Sequence, residues 1–160
     1  MQTISRQSGI SRTTIFNRFS TRTELLEALA KDTLNQIGLV MKMVPSGKPD
    51  DIEAVMLEVT QQLMSLGPRT VFLQMAPVQA TPLDPDWSQA FTPLAIYFGT
   101  AQHYSLLRND QPVRWLVAAY VGLLFAAWDE IAIGELGKAQ ASRLIVQTWL
   151  DSAKLSNSKA

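Results

Sequence analysis

The chain has 160 residues, 14 Lys plus Arg against 14 Asp plus Glu, a hydrophobic fraction of 47 %, one histidine and no cysteine. That length fits one medium domain or a small head on a larger body, and the apolar content is ample for a buried core. The absence of cysteine excludes a disulfide framework and thiolate metal sites, and one histidine is too few for the usual zinc ligand sets. Met1 leads directly into polar helical sequence without the pattern of a secretory leader, so a soluble, cytoplasmic protein is expected.

The charge is unevenly spread. Between Met1 and Arg22 stand four arginines (Arg6, Arg12, Arg18, Arg22) and no acid, the first carboxylate being Glu24. A locally basic helical unit on a neutral body is the electrostatic footprint of a DNA-reading head. Ser8-Gly9-Ile10-Ser11 reads as a turn between two short helices, with Gly9 in the left-handed conformation and Ser11 as the N-cap of the second. That second helix, Arg12 to Phe19, is expected to bury Ile15 and Phe19 and to present Arg12, Thr13, Thr14, Asn17 and Arg18 outward. Arg can contact guanine bidentately, Asn can do so with adenine, and Thr can touch a base edge or the thymine methyl. Thr21-Arg22-Thr23-Glu24 reads as a capping box that opens a longer helix. Arg22 in its first turn opposes the helix dipole, which a phosphate bound at that N-terminus would resolve.

The body reads as helices throughout. The helix from Arg22 is expected to reach about Val44 and to stop at Pro45-Ser46-Gly47, and a second to run from about Pro49 to Leu66. Gly67-Pro68 breaks the chain, a short helix is expected near Val71 to Met75, and Ala76 to Leu83 is expected as a loop. Asp84-Pro85 opens a helix expected to continue to about Leu107, with Trp87, Phe91, Leu94 and Phe98 aligned. Another is expected from Asn109-Asp110-Gln111-Pro112 to about Ile133, and a last from about Lys138 to Lys154, ahead of a disordered tail. The uncharged run Trp115 to Trp128 is too short as a run to span a bilayer and reads as a buried helix. Within it Ala118, Gly122 and Ala126 lie four apart, a small-residue stripe that either admits a second subunit or belongs to the core of one protomer. Leu144, Ile145 and Trp149 on the last helix would add apolar area to such an interface. No nucleophile–histidine pair, phosphate loop or metal-ligand cluster is present in the sequence, so an enzyme is not expected.

Ile4 to Leu29 resembles the head of the tetracycline-repressor family of bacterial transcription regulators. The family motif runs roughly I-A-x-x-A-G-V-S-x-G-T-L-Y-x-H-F-x-S-K-x-x-L-L. Ile4, Gly9, Ser11, Thr14, Phe19, Leu25 and Leu26 match it outright, and Ser5, Ser8, Ile10, Ile15, Phe16, Thr21 and Arg22 are close substitutions. The resemblance implies an all-α architecture: residues 1–44 form a helix-turn-helix head with its connecting helix, 45–155 an effector-binding and dimerisation domain, and 156–160 a tail. It implies DNA contacts at Arg12, Thr13, Thr14, Phe16, Asn17, Arg18 and Arg22, although Phe16 stands where the family has a tyrosine with a phosphate-binding hydroxyl. It also implies a first helix upstream of the motif, which a chain starting at Met1 is expected to lack.

In the family the middle helices enclose an effector, which here would place Met56, Met64, Phe72, Met75, Trp87, Phe91, Phe98 and Trp115 around a small apolar or aromatic ligand. Pairing through the last two long helices would place Ala118, Gly122, Ala126, Leu144, Ile145 and Trp149 at a homodimer interface. The expected function is therefore a ligand-responsive, DNA-binding transcriptional regulator, acting as a homodimeric repressor without a cofactor and binding a double-stranded operator. The alternative is a ligand-binding or protein-interaction dimer whose head does not read DNA.

Overall fold

The computed structural model describes Thr13 and residues 17–67 and 87–154, and the side chains of Trp87 and Ser88 are outside that description. Among the described residues the chain is all-helical, as its periodicity predicts, in the order α1 (Arg22–Met41), α2 (Ile52–Ser65), α3 (Trp87–Ala90), α4 (Thr92–His103), α5 (Val113–Ala132) and α6 (Lys138–Ala153). The turn at Gly9, the short helix expected near Val71, the loop to Leu83, the Asp84-Pro85 cap and the tail from 156 lie outside the described residues.

Local chemistry sets the helix ends. Thr21 caps α1 by accepting from the Glu24 backbone N–H at 3.1 Å. The Glu24 carboxylate reaches past the N-cap residue and accepts from the Ser20 N–H at 2.7 Å, so the capping box is shifted by one donor. Asp51 caps α2 through the Ala54 N–H at 3.0 Å, which starts this helix later than the sequence predicts. The helix expected from Asp84 is interrupted at Phe91: Pro93 falls in the first turn of α4, where its missing N–H is tolerated, and Phe91 leaves helical geometry to restart the chain. It stops at His103 because Ser105 takes a positive φ of 55°.

The core is one cluster drawn from α1, α2, α4, α5 and α6. Ile37 and Met41 of α1 meet Met56, Val59, Leu63 and Met64 of α2, all nearly or fully buried. The most extensive packing is between α2 and α6, followed by α5 against α6. Trp149 joins the layers: its ring stacks on Phe98 of α4 at 4.4 Å, meets Tyr120 of α5 edge-on at 6.1 Å, and its N–H donates to the Leu116 carbonyl at 2.9 Å. A Cβ at Gly67, just past α2, would stand 3.0 Å from Trp128 Cδ1, so glycine permits that close approach.

One buried hydrogen bond crosses from α2 to α5, between Thr60 Oγ1 and the Tyr120 hydroxyl at 2.7 Å. Thr60 already spends its only proton on the Met56 carbonyl, so Tyr120 is the donor. Burial pushes the Tyr120 hydroxyl well above its ordinary pKa, with the Thr60 contact opposing the shift, so it stays protonated and donating at any physiological pH. Thr60→Val strands a buried hydroxyl donor and should lower unfolding stability by about 1–3 kcal/mol, whereas Thr60→Val with Tyr120→Phe removes both partners and should be less destabilised than Thr60→Val alone. Urea unfolding of the three variants checks the order; equal losses for the single and double variants would contradict it.

Candidate functional site

Three regions gather the residues singled out by the sequence: the start of α1, the interior between α2 and α4, and the outer face of α5. At the head, Thr13, Asn17, Arg18 and Arg22 are all exposed, while Phe19 is half-buried. Arg12, Thr14, Ile15 and Phe16 lie outside the described residues. Arg18 and Arg22 have no ion-pair partner among the described residues, and Arg22 occupies the first turn of α1. The first-turn backbone of α1 and the Arg22 guanidinium, with Arg18 four residues ahead, thus make a basic, exposed approach to this helix start, an arrangement suited to an anion such as phosphate.

Of the residues expected around an effector, Met56, Met64, Phe91 and Phe98 are brought together in the central core, each 3 % exposed or less. Phe72, Met75 and the Trp87 side chain lie outside the described residues. Trp115 is not with them: it is 60 % exposed on the outer side of α5. Phe91 also borders an apolar groove of about 360 Å³ between α4 and α5, with Ala95, Val117 and Val121 in its walls and Arg114 at its edge. Sequence reading misses these wall residues because small aliphatic side chains in an apolar helix carry no signal of which side faces a groove.

The residues expected at a subunit interface divide. Ala118, Gly122 and Ala126 are exposed along one line of α5, and Leu144 of α6 is 44 % exposed. Ile145 and Trp149 face inward at 3 % and 1 % exposure, so they serve the protomer's own core and not its outer face. The physical reason is the aromatic stack and the indole hydrogen bond to Leu116, which fix the rotation of α6 with Trp149 inside. A groove of about 370 Å³ between α5 and α6 is lined in part by Leu123, Ala126, Asp129, Glu130 and Leu144. The uncharged run from Trp115 lies in a helix of 20 residues that by length and composition alone could cross a membrane, although the run itself is shorter.

Among the described residues, two buried polar groups lack a partner, Tyr97 Oη and Trp128 Nε1. Burial raises the Tyr97 pKa, with the nearby charges of Asp51 and Asp50 adding to the shift. Asp51 caps the start of α2, and Trp128 packs against Gly67 past its end. The two groups therefore sit at opposite ends of a helix about 20 Å long and do not converge on one ligand. Among the described residues no group of three or more His, Cys, Asp or Glu is placed to hold a metal ion, and His103 lies exposed with its ring edge-on to Tyr104 at 5.1 Å.

The order of the α1 start depends on Thr21. Replacing Thr21 with Ala removes the cap on the Glu24 N–H and should destabilise by about 1 kcal/mol, seen as faster hydrogen exchange of the first-turn amides with the rest of the pattern unchanged. Unchanged first-turn exchange would show that the cap does not hold this end. No family model matches the chain, and no curated protein or solved structure matches it.

Proposed function

We propose that this protein is a DNA-binding transcriptional regulator of the tetracycline-repressor type, a homodimeric repressor whose affinity for a double-stranded operator responds to a small apolar or aromatic effector. The observation that carries the reading is the exposed set Thr13, Asn17, Arg18 and Arg22 ahead of and at the start of α1, its two arginines without an ion-pair partner among the described residues, in the only strongly basic stretch of the sequence. Those four coincide with positions where the family resemblance implies DNA contact, Asn17 and Thr13 toward bases and Arg18 and Arg22 toward phosphates. The α1 helix then couples this end to the core through Ile37 and Met41, which pack with Met56 and Met64. An effector that repacks those methionines would act on α1 and shift the population of head orientations.

A second reading, an interaction or ligand-binding dimer with no DNA role, is favoured by the exposed apolar side of α5, which calls for a partner whether or not the head reads DNA.

The reading is tested with the full chain and a duplex of about 30 base pairs of arbitrary sequence. Binding by a dimer that neutralises about eight phosphates should fall with salt at a log–log slope near −7. Arg18→Ala or Arg22→Ala, each removing one phosphate contact per head, should flatten that slope by about 1.8 and weaken binding on all sequences alike. No measurable binding at low salt, or an affinity independent of salt, would overturn the regulator reading and leave the second.

A further inference from the structure

The furrow between α4 and α5 is separate from the methionine core and from the Trp115 line. On α5 its wall includes Arg114, Val117 and Val121, spaced three and four apart so that they form one stripe. At 3.6 residues per turn that stripe points roughly 120° away from Trp115, Gly122 and Ala126, with Ala118 on the rim between the two directions. On α4 the wall is Phe91, Thr92 and Ala95. Ala95, Val117 and Val121 are half-buried, and their short side chains leave about 360 Å³ unfilled, near the lower end of ligand-sized clefts.

Charge gives the furrow a direction. α4 carries no Lys, Arg, Asp or Glu, and the acids of α5, Asp129 and Glu130, stand in its last turn, roughly 12 Å beyond Val121. The one charge on the furrow is Arg114, exposed and without a hydrogen-bonded or ion-pair partner among the described residues. It lies in the first turn of α5, where the helix dipole already favours an anion, and Pro112 supplies no side-chain cap. Past Arg114 the two helices touch, since a Cβ at Gly99 would stand 3.7 Å from Val113 Cγ2. The furrow thus has a cationic end against a closed corner and an apolar trough running from it toward Phe91.

We infer that this furrow binds an aliphatic monocarboxylate of medium length, its carboxylate held by the Arg114 guanidinium and its tail lying along Ala95, Val117 and Val121 toward Phe91. Each part of the ligand is chosen by a part of the site. The guanidinium presents paired N–H donors that match the two oxygens of a carboxylate. A neutral hydrocarbon would leave this cation unanswered, a lipophilic amine would be repelled by it, and inorganic phosphate would leave the apolar walls wet. From Arg114 to Val121 is about 10 Å along the helix, or about eight bonds of an extended chain at roughly 1.2 Å per bond, which suits octanoate. The inference goes beyond the regulator reading: it uses neither the head nor the methionines, and it holds for a chain that binds no DNA.

The test titrates sodium octanoate into the full chain by calorimetry. Saturable binding is expected with a Kd below about 1 mM. Butyrate and 1-octanol should each bind at least about tenfold more weakly, the first for lack of tail and the second for lack of charge. Arg114→Gln should weaken octanoate by about tenfold or more while leaving 1-octanol unchanged, and Arg114→Lys should recover part of the loss. Ala95→Phe fills the trough and should abolish saturable binding. Val121→Phe does the same from the opposite wall, so that if one variant does not fold the other decides. Amide shifts on octanoate addition should centre on Ala95, Arg114 and Val121.

No saturable heat below about 1 mM, 1-octanol bound as tightly as octanoate, or binding indifferent to Arg114→Gln or to the filling variants would overturn the inference. So would a second copy in the furrow, seen by sedimentation as a dimer that Ala95→Phe dissociates and octanoate leaves untouched. Because no DNA enters the experiment, octanoate binding by a chain without affinity for duplex DNA would uphold the site and remove only the regulator reading.

Discussion

The structure depends most heavily on how the Trp149 indole is held. One side chain supplies a stacked contact to α4 through Phe98, an edge contact to α5 through Tyr120, and a buried hydrogen bond to the Leu116 carbonyl. Tyr120 passes the connection on to α2 by donating to Thr60. Four helices are thus fixed in rotation as well as position, because aromatic planes and hydrogen bonds have direction where aliphatic contacts have none. The loop between α4 and α5 closes the same corner: Gln102 Nε2 donates to the carbonyls of Arg108 and Gln111, and the Arg108 backbone N–H donates to the Ala153 carbonyl at 2.9 Å. Arg108 also pairs with Asp110, whose carboxyl is held below its ordinary pKa by that hydrogen bond, and donates weakly to the Ser152 carbonyl.

Much of this architecture is legible in the sequence, and the reason differs by element. In α2 the stripe of Ile52, Met56, Val59 and Leu63 sits among polar residues, so its period gives both the helix and its buried side. In α6 the alternation is equally clear, yet Ile145 and Trp149, expected at an outward interface, turn inward. Periodicity reports that a face is buried and says nothing of what buries it. In α5 the pattern fails altogether: from Trp115 to Trp128 no residue is charged, so neither side is distinguished and the exposure of Trp115 has no signal in the sequence. The break at Phe91 is hidden by apolar residues that stay in phase across it, although Pro93 marks the restart. At the head, the capping residues Thr21 and Glu24 are readable because their chemistry is local, and only the carboxylate's choice of donor differs.

The two candidate regions differ in what their proposed roles would demand. A DNA-reading start of α1 would need charge that remains free, and Arg18 and Arg22 are without ion-pair partners among the described residues. The outer face of α5 combines apolar area with three charges set against the helix dipole, a combination unfavourable for an isolated helix in water. Both regions therefore carry features that the stability of a lone protomer does not require. In a regulator these would be the surfaces for the operator and for the second subunit, joined by a core in which α1 and α2 share methionines.

The order in which these helices leave the ribosome gives the Trp149 contacts a further meaning. α5 is made before α6, so for a time its inner side lacks Trp149 and Val146 while its outer side is equally bare. During that interval α5 has only α2 and α4 to pack on, and its uncharged run from Trp115 to Trp128 leaves more apolar surface bare than in the finished fold, the kind of nascent segment that collapses on neighbours. Arrival of α6 completes the cover of that inner side, with the indole seated between Phe98 and Tyr120. Biosynthesis therefore has a vulnerable window whose length is set by how quickly a single tryptophan follows the helix it must cover.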